Sequence, residues 1–399
     1  MTKLLKLLFI IALSVAPNVR GADTLYIYCL DVGQGDATLI VSPTGQTMLV
    51  DAGNNGEGED KVLPLLDSLN ITSLDYIVAT HYHADHIGGV DEVVNGLSID
   101  SIGIVYDRGW SYTTQTYYDY ANAVGPIRTT IQDSQVIDLG GGAEVTCVSV
   151  NGNAVLDTPF TQPPHNENDL CVALKLEYGE FDFFVAGDLS GATTSDYTDI
   201  ETSVAPEVGR IEVYHVDHHA SKYNSNQCFV DSLRPKVSII SVGENPYGHP
   251  TQEVIQRLEA VPSVIYQTED GDGNVVDGDI TIKVCLDSFW VNGDGYPNSV
   301  GLAVNDDNET MPKRFSLSQN CPNPFNAETE IRYNLPQDCE VKLNVFNILG
   351  ERVATLIEQR QTSGYKMVRW DAGSFPSGIY LYRLEAGEFD QTKMMVLLK

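Results

Sequence analysis

Residues 74–90 read LDYIVATHYHADHIGGV. Tyr76, Ile77, Val78 and Ala79 form a short apolar run with the length and β-branching of a buried strand. The run ends in four potential metal ligands, His81, His83, Asp85 and His86, a density of imidazole and carboxylate for which a hydrophobic core has no use. In an extended backbone, side chains two apart point the same way, so His81 and His83 can grip one ion, while Asp85 and His86, past the turn, can reach a second. Gly88 and Gly89 let the chain pass close to such a site, and a helix is expected from Val90 to Val94.

The chain around this motif has 399 residues, enough for two or three domains, and its 42% hydrophobic content supports a large core. Lys3 and Lys6 followed by an apolar segment over 7–15 and small residues near Gly21 read as an export signal over 1–21, too short to span a bilayer. A soluble, exported protein without stable membrane insertion is the expectation. The formal net charge of −31 is unevenly spread: residues 23–285 carry 40 acidic against 10 basic side chains, residues 286–399 only 15 against 11. Such acidity repels long polyanions within a Debye length and argues against a conventional basic-groove binder of duplex DNA. Among the seven cysteines, Cys29, Cys147, Cys171 and Cys285 sit in apolar runs as inert thiols, and Cys321 and Cys339, which lie together in the last domain, are the one pair to consider for a disulfide.

The HxHxDH run, preceded by the strand-end carboxylate Asp51, resembles the metallo-β-lactamase superfamily. Three further elements narrow the resemblance to the soluble hydrolase domain of ComEC-type DNA-uptake proteins and their secreted relatives: DVGQGDA at 31–37, His218-His219-Ala220-Ser221 in place of the family's HHGS, and the N-x-YGHP element from Asn245 to Pro250. The resemblance implies an α/β fold, an αββα sandwich over residues 22–285. Within it Asp36 either orients a ligand or stabilises its turn.

The same resemblance implies a ligand set. His81 and His83 take the first ion, Asp85, His86 and His249 take the second, and Asp188, at a strand end after Gly187, bridges them. His165 is either the third ligand of the first ion or a plain loop histidine. His218 or His219 is the remaining catalytic group, Lys222 is placed to receive a phosphate, and Asp51 orients a ligand from behind. Two divalent ions, zinc or alternatively manganese, would generate a nucleophilic hydroxide from a shared water at neutral pH. The tyrosines between Trp110 and Tyr120 form either a helix packed on the core or an aromatic wall over the site.

Residues 286–311 are polar and aperiodic, the pattern of a linker. Residues 312–399 show a small all-β sandwich pattern with Pro322-Asn323-Pro324-Phe325-Asn326, Asn347-Ile348-Leu349-Gly350 and Ser377-Gly378-Ile379-Tyr380, and resemble the C-terminal sorting domain of type IX secretion cargo. The implied partner is that secretion machinery, and the implied location the medium or cell surface. The leading functional expectation is a secreted two-metal hydrolase of small phosphodiesters or short nucleic acids. The rivals are a hydrolase of lactam, lactone or thioester bonds and a non-catalytic surface protein on the same fold.

Overall fold

Apolar runs of four to seven residues separated by Gly, Asn and Asp turns become, in chain order, β1 (Leu25–Cys29), β2 (Thr38–Val41), β3 (Thr47–Val50), α1 (Leu63–Ser68), β4 (Leu74–Val78), α2 (Ala84–Ile87), α3 (Val90–Leu97), β5 (Ile102–Asp107), α4 (Gln115–Val124), β6 (Arg128–Thr130), β7 (Val136–Gly140) and β8 (Ala143–Ser149). They continue as β9 (Ala173–Tyr178), β10 (Phe181–Val185), α5 (Glu201–Val208), β11 (Val213–His215), α6 (Gln227–Leu233), β12 (Val237–Ile240), α7 (Gln252–Ala260), β13 (Val264–Gln267), β14 (Ile280–Val284), β15 (Ser288–Val291) and β16 (Asp294–Pro297). The computed structural model describes residues 24–152, 166–298, 315–317, 320, 323–387 and 389–399. The export segment 1–21, His165 and Cys321 lie outside the described residues.

Two sheets face each other. One has nine strands in the order β16-β15-β14-β1-β2-β3-β4-β5-β6, the other seven in the order β13-β12-β11-β10-β9-β8-β7. Their inner faces share one core, with Ile27, Val50, Val78, Val145, Leu174, Phe181 and Ile282 among its members. The outer face of the first sheet is covered by α1, α3 and α4 through Leu66, Val93 and Tyr120, that of the second by α5, α6 and α7 through Val204, Phe229 and Leu258. Each large side chain buried in this way contributes about 1.5–3 kcal/mol, and the result is the expected αββα sandwich.

The pairing pattern decides where chemistry can happen. β3, β4 and β5 run parallel in the first sheet, and β10, β11, β12 and β13 run parallel in the second. Parallel strands end on the same side, and their carboxyl ends leave a crevice for a ligand. Asp51 follows β3, His81 follows β4, Asp188 follows β10 and His218 follows β11.

The first sheet extends past the expected boundary at 285. β15 pairs with β14 and β16 with β15, and Phe289 and Val291 are fully buried, Phe289 with its ring 5.2 Å from that of Phe181. The linker therefore does not begin at 286. The Gly, Asn and Asp around these strands form their turns and mask the alternation of Phe289, Val291 and Tyr296 in composition.

The C-terminal region holds β17 (Ser316–Leu317), β18 (Glu328–Leu335), β19 (Cys339–Asn347), β20 (Arg352–Gln361), β21 (Gly364–Asp371), β22 (Gly378–Ala386) and β23 (Phe389–Leu397). They make a three-stranded sheet, β17-β18-β21, and a four-stranded sheet, β20-β19-β22-β23, around Ile331, Leu343, Trp370 and Tyr382. Strand β20 carries charged and polar residues that hide its alternation. Cys339 is a free thiol, which excludes the Cys321–Cys339 bridge; the disulfide-bonded cysteine among the described residues is Cys228, on α6. No helix among the described residues is long and apolar enough to cross a membrane.

Candidate metal centre

The two histidines after β4 are set by hydrogen bonds that begin at Asp51. Its carboxylate accepts from the Thr80 amide at 2.8 Å, from the Thr80 hydroxyl at 2.6 Å and from His86 Nδ1 at 2.8 Å. The Thr80 proton is thereby committed to Asp51, so its oxygen accepts from His81 Nδ1 at 3.2 Å and leaves His81 Nε2 bare. That nitrogen lies 3.0 Å from His83 Nδ1. A tetrahedral ion with bonds of about 2.0–2.1 Å holds its ligands about 3.3 Å apart, so two converging nitrogens at this spacing suit a shared cation. Asp51 acts behind His86, in the orienting position expected of it. Gly89 keeps the returning chain close, since a Cβ there would run into the Ala52 carbonyl.

Asp188 stands between two groups of imidazoles. Its Oδ2 is 3.7 Å from His81 Nε2 and 3.4 Å from His218 Nε2, and it accepts from the Asn168 amide at 3.2 Å. Its Oδ1 is 3.2 Å from His86 Nε2 and 3.7 Å from His219 Nε2, and His219 Nε2 is 3.5 Å from Asp85. Three ligand-type triads result among the described residues: His81, His83 and Asp188 on one side, Asp85, His86 and His219 on the other, and Asp36 with His86 and Asp188 behind them. His86 Nε2, His219 Nε2 and Asp188 Oδ1 are buried without hydrogen-bond partners, which fits atoms reserved for a cation. Burial would raise the Asp188 carboxyl, yet His218, His86 and His81 hold it well below the usual carboxylate range. Burial keeps His81 far below the usual histidine value.

Here the second group departs from expectation. His219, and not His249, joins Asp85 and His86, because the chain after β11 makes a left-handed turn: φ is +51° at His218, +52° at His219 and +61° at Ala220. Each such residue costs roughly 1–2 kcal/mol, and the turn is over-determined. The His218 amide donates to Gly187 O, Ser221 N to His218 O, Thr251 N and Oγ1 to Ala220 O, and His219 Nδ1 donates to Ser241 O at 2.8 Å. The last bond points His219 Nε2 at the carboxylates. His218 Nδ1 meets Asn224 Oδ1 at 3.0 Å, so its Nε2 faces Asp188. Two adjacent histidines thus reach the two oxygens of one carboxylate.

His249 sits in the next layer out, its ring 5.4 Å from that of His218. Burial first, then the charges of His218 and His219, lower it to about 4, so its ring is neutral at pH 7. Lys222 is exposed, with Nζ 5.0 Å from the Tyr223 ring centre. Asp36 lies behind the centre, its buried oxygens 3.6 Å from His219 Nδ1 and 3.8 Å from His86 Nδ1 with no hydrogen-bond donor. The turn at Asp36 is closed by backbone bonds to Asp85 and Gly53, so its side chain is not what stabilises it.

The tyrosines of 110–120 are core rather than wall at their inner positions. Tyr117 and Tyr120 are buried against Tyr82, the residue between the two motif histidines, and Arg128 ties Tyr82, Tyr117 and Asp107 together. Tyr112 alone among them meets a motif histidine, its ring 6.2 Å from that of His83. Sequence reasoning missed two supports. Asn168, which touches Asp188 and His218, follows Glu167, whose buried carboxylate accepts twice from Arg108 at 2.7 Å and once from the Tyr82 amide at 2.9 Å. This bidentate pair holds the backbone between His81 and His83 in place. No local signal marked it, because Arg108 and Glu167 lie 59 positions apart.

A family model described as Metallo-beta-lactamase superfamily matches residues 30–244, and one described as Secretion system C-terminal sorting domain matches 321–398. Among characterised proteins, the chain is similar to ComE operon protein 3 of Bacillus subtilis (24% identical over 256 residues, 58% of this chain and 30% of that protein) and to Recombination protein 2 of Haemophilus influenzae (25% over 250 residues, 61% and 28%). It is also similar to a hydroxyacylglutathione hydrolase of Serratia proteamaculans (31% over 143 residues, 35% and 44%). The chain spans less than a third of the length of the first two. With a sandwich of two sheets, ligand-type side chains gathered at the ends of its parallel strands and a family model that covers more than half of its length, the chain belongs to the metallo-β-lactamase superfamily.

Proposed function

We propose that the sandwich is a secreted hydrolase of small phosphodiesters that works with two divalent ions, zinc or alternatively manganese. The observation that carries the reading is the division of Asp188, whose two oxygens face separate imidazole groups. His81, His83, His218 and Asp188 would hold one ion, and Asp85, His86, His219 and Asp188 the other. Two such ions supply an acidified water and neutralise charge that builds up in an in-line displacement. Asp51 and Thr80 keep the lone pairs of His86 and His81 aimed inward. Resemblance to ComEC-type domains over the HHAS and YGHP elements favours a phosphoester over other bonds, and the C-terminal domain supports secretion or surface attachment through the type IX machinery.

On this reading His249 exchanges roles with His219. A neutral imidazole beside the centre donates a hydrogen bond to a phosphoryl oxygen rather than a proton, and nearby cations would only lower its pKa further. His249→Gln is expected to lose about 10²–10³ in kcat, the usual scale for one such donor, while retaining both ions. His219→Gln is expected to lose an ion. Metal analysis of both variants checks this, and the opposite pattern would restore the ligand role to His249.

The test of substrate class is a screen of the metal-loaded protein with an aryl phosphodiester, a lactam and a glutathione thioester, the last because of the similarity to a hydroxyacylglutathione hydrolase. Turnover of the phosphodiester is expected. Single-stranded DNA should be cut weakly, and faster from low to moderate salt, as the Debye length shrinks from about 30 Å at 0.01 M to about 10 Å at 0.1 M and screens the acidic surface. Tight DNA binding that collapses with salt would refute the charge argument. Lactam or thioester turnover without phosphodiester turnover would replace the reading.

A further inference from the structure

An acidic domain that processes phosphodiesters has to hold them by something other than a field of cations. Much of its scarce basic charge is engaged elsewhere: Arg108 and Arg128 are bound to Glu167 and Asp107, Lys175 to Asp182, and Arg257 to backbone carbonyls. Around the centre, beside the exposed Lys222, several aromatic groups are open to solvent. Tyr247 is 72% exposed, and its ring lies 5.7 Å from His249. Tyr223, two residues beyond the HHAS turn, is exposed and stacked on Tyr197 with ring centres 5.0 Å apart and planes at 27°. Tyr197 is half-buried and hydrogen-bonded to Asn166, and burial first, then the nearby charge of Asp188, raises its hydroxyl.

The backbone that carries Tyr247 is tied down. Asn245 Oδ1 accepts from the Tyr247 amide at 3.1 Å and from the His249 amide at 3.0 Å, while Asn245 Nδ2 donates to the carbonyls of Gly243 at 2.8 Å and His249 at 2.9 Å. One side chain therefore staples the whole loop and presents an uncovered ring beside the centre. A ring carried on a tied-down loop leaves only its own side-chain rotation to be given up when a flat ligand covers it. Stacking on such a ring strengthens binding by about 5- to 150-fold per base, whatever the base and without help from charge.

Resting on the hydrolase reading above, we propose that Tyr247, with the stacked pair Tyr197 and Tyr223, is a subsite for an aromatic group esterified to the scissile phosphate, a nucleobase or an aryl ring. It would seat the end of a short strand and select aromatic over aliphatic esters, with the metal ligands left to the phosphate.

Two measurements on the metal-loaded full chain test this. A 2-aminopurine dinucleotide with a hydrolysis-resistant phosphorothioate link should be quenched on binding. Tyr247→Ala is expected to weaken its Kd about tenfold, Tyr223→Ala is expected to weaken it as well, and Tyr247→Phe should restore wild-type binding. Three 2,2,2-trifluoroethyl phosphodiesters, carrying methyl, phenyl or thymidine on the other oxygen and followed by fluorine NMR, should show a lower KM for the aromatic esters in the wild type, an advantage that collapses in Tyr247→Ala. An advantage shared by phenyl marks an aryl subsite, and one confined to thymidine marks a nucleobase subsite. Turnover of all three esters with equal KM in wild type and variants would overturn the subsite and leave the hydrolase reading standing. Tyr247-dependent quenching without turnover of any ester would uphold the subsite and overturn the hydrolase reading.

Discussion

Asp188→Ala is expected to abolish the proposed hydrolysis and to release at least one of the two proposed ions. The carboxylate is 2% exposed and is shared by His81 and His218 on one oxygen and by His86 and His219 on the other. Its loss removes the anion that draws two cationic centres together, and every 1.36 kcal/mol lost from transition-state stabilisation is tenfold in rate. A drop below about one part in a thousand corresponds to about 4 kcal/mol, well within what an absent ion would cost. Elemental analysis of the purified variant, set beside its circular dichroism, separates metal loss from unfolding. Asp188→Asn, which keeps the shape but not the charge, should fail in the same way. Unchanged metal content in both variants would refute the two-ion assignment.

Deletion of residues 313–399 is expected to leave an active hydrolase that stays in the periplasm of a host with the type IX machinery. The C-terminal strands pair only with one another among the described residues, and Ile331, Leu343, Trp370 and Tyr382 form a core separate from those of the sandwich. The sandwich consequently keeps its own strands and its own apolar cores when the tail is removed, and gives up the cleft that Pro206 and Arg234 line together with Glu330 and Met367. Fractionation of cells and medium, with phosphodiesterase assays on each fraction, checks both halves of the expectation. A truncated protein that still reached the medium or the cell surface would remove the sorting role from this domain. A truncated protein that was inactive although folded would show that the tail serves the site.

Much of the centre was legible because its ligands stand where strands end. The HxHxDH run after Val78, the carboxylate after Gly187 and the histidine pair after His215 all follow short apolar segments, and strand termini are visible to periodicity and glycine. Gly187 itself, at φ +56° and with no room for a Cβ beside Thr80, explains why a glycine precedes the shared carboxylate. The αββα architecture was legible through the resemblance of these motifs to the metallo-β-lactamase superfamily, while the segments alone indicated buried strands among amphipathic helices. Even so, β15 and β16 were hidden by turn residues, and β20 by its own polar side chains.

By itself the amino-acid sequence determined the cluster of ligand-type side chains after β4, the acidic character of the sandwich and the presence of a separate β-rich tail, because each is written in local spacing, composition or counted charge, and the resemblance added Asp188 as the carboxylate between the two groups. Only the tertiary structure decided that His219 stands with Asp85 and His86 while His249 stays a layer outside. It also decided that Arg108 and Glu167 brace the backbone of Tyr82, that the tyrosines after Trp110 mostly serve the core, and that Cys228 rather than Cys339 is disulfide-bonded. The reason is directional. Three consecutive left-handed residues at His218, His219 and Ala220 turn neighbouring side chains through angles that no helix or strand period describes. The bonds that hold such a turn come from Gly187, Ser241 and Thr251, residues brought together only when the strands of the second sheet lie side by side.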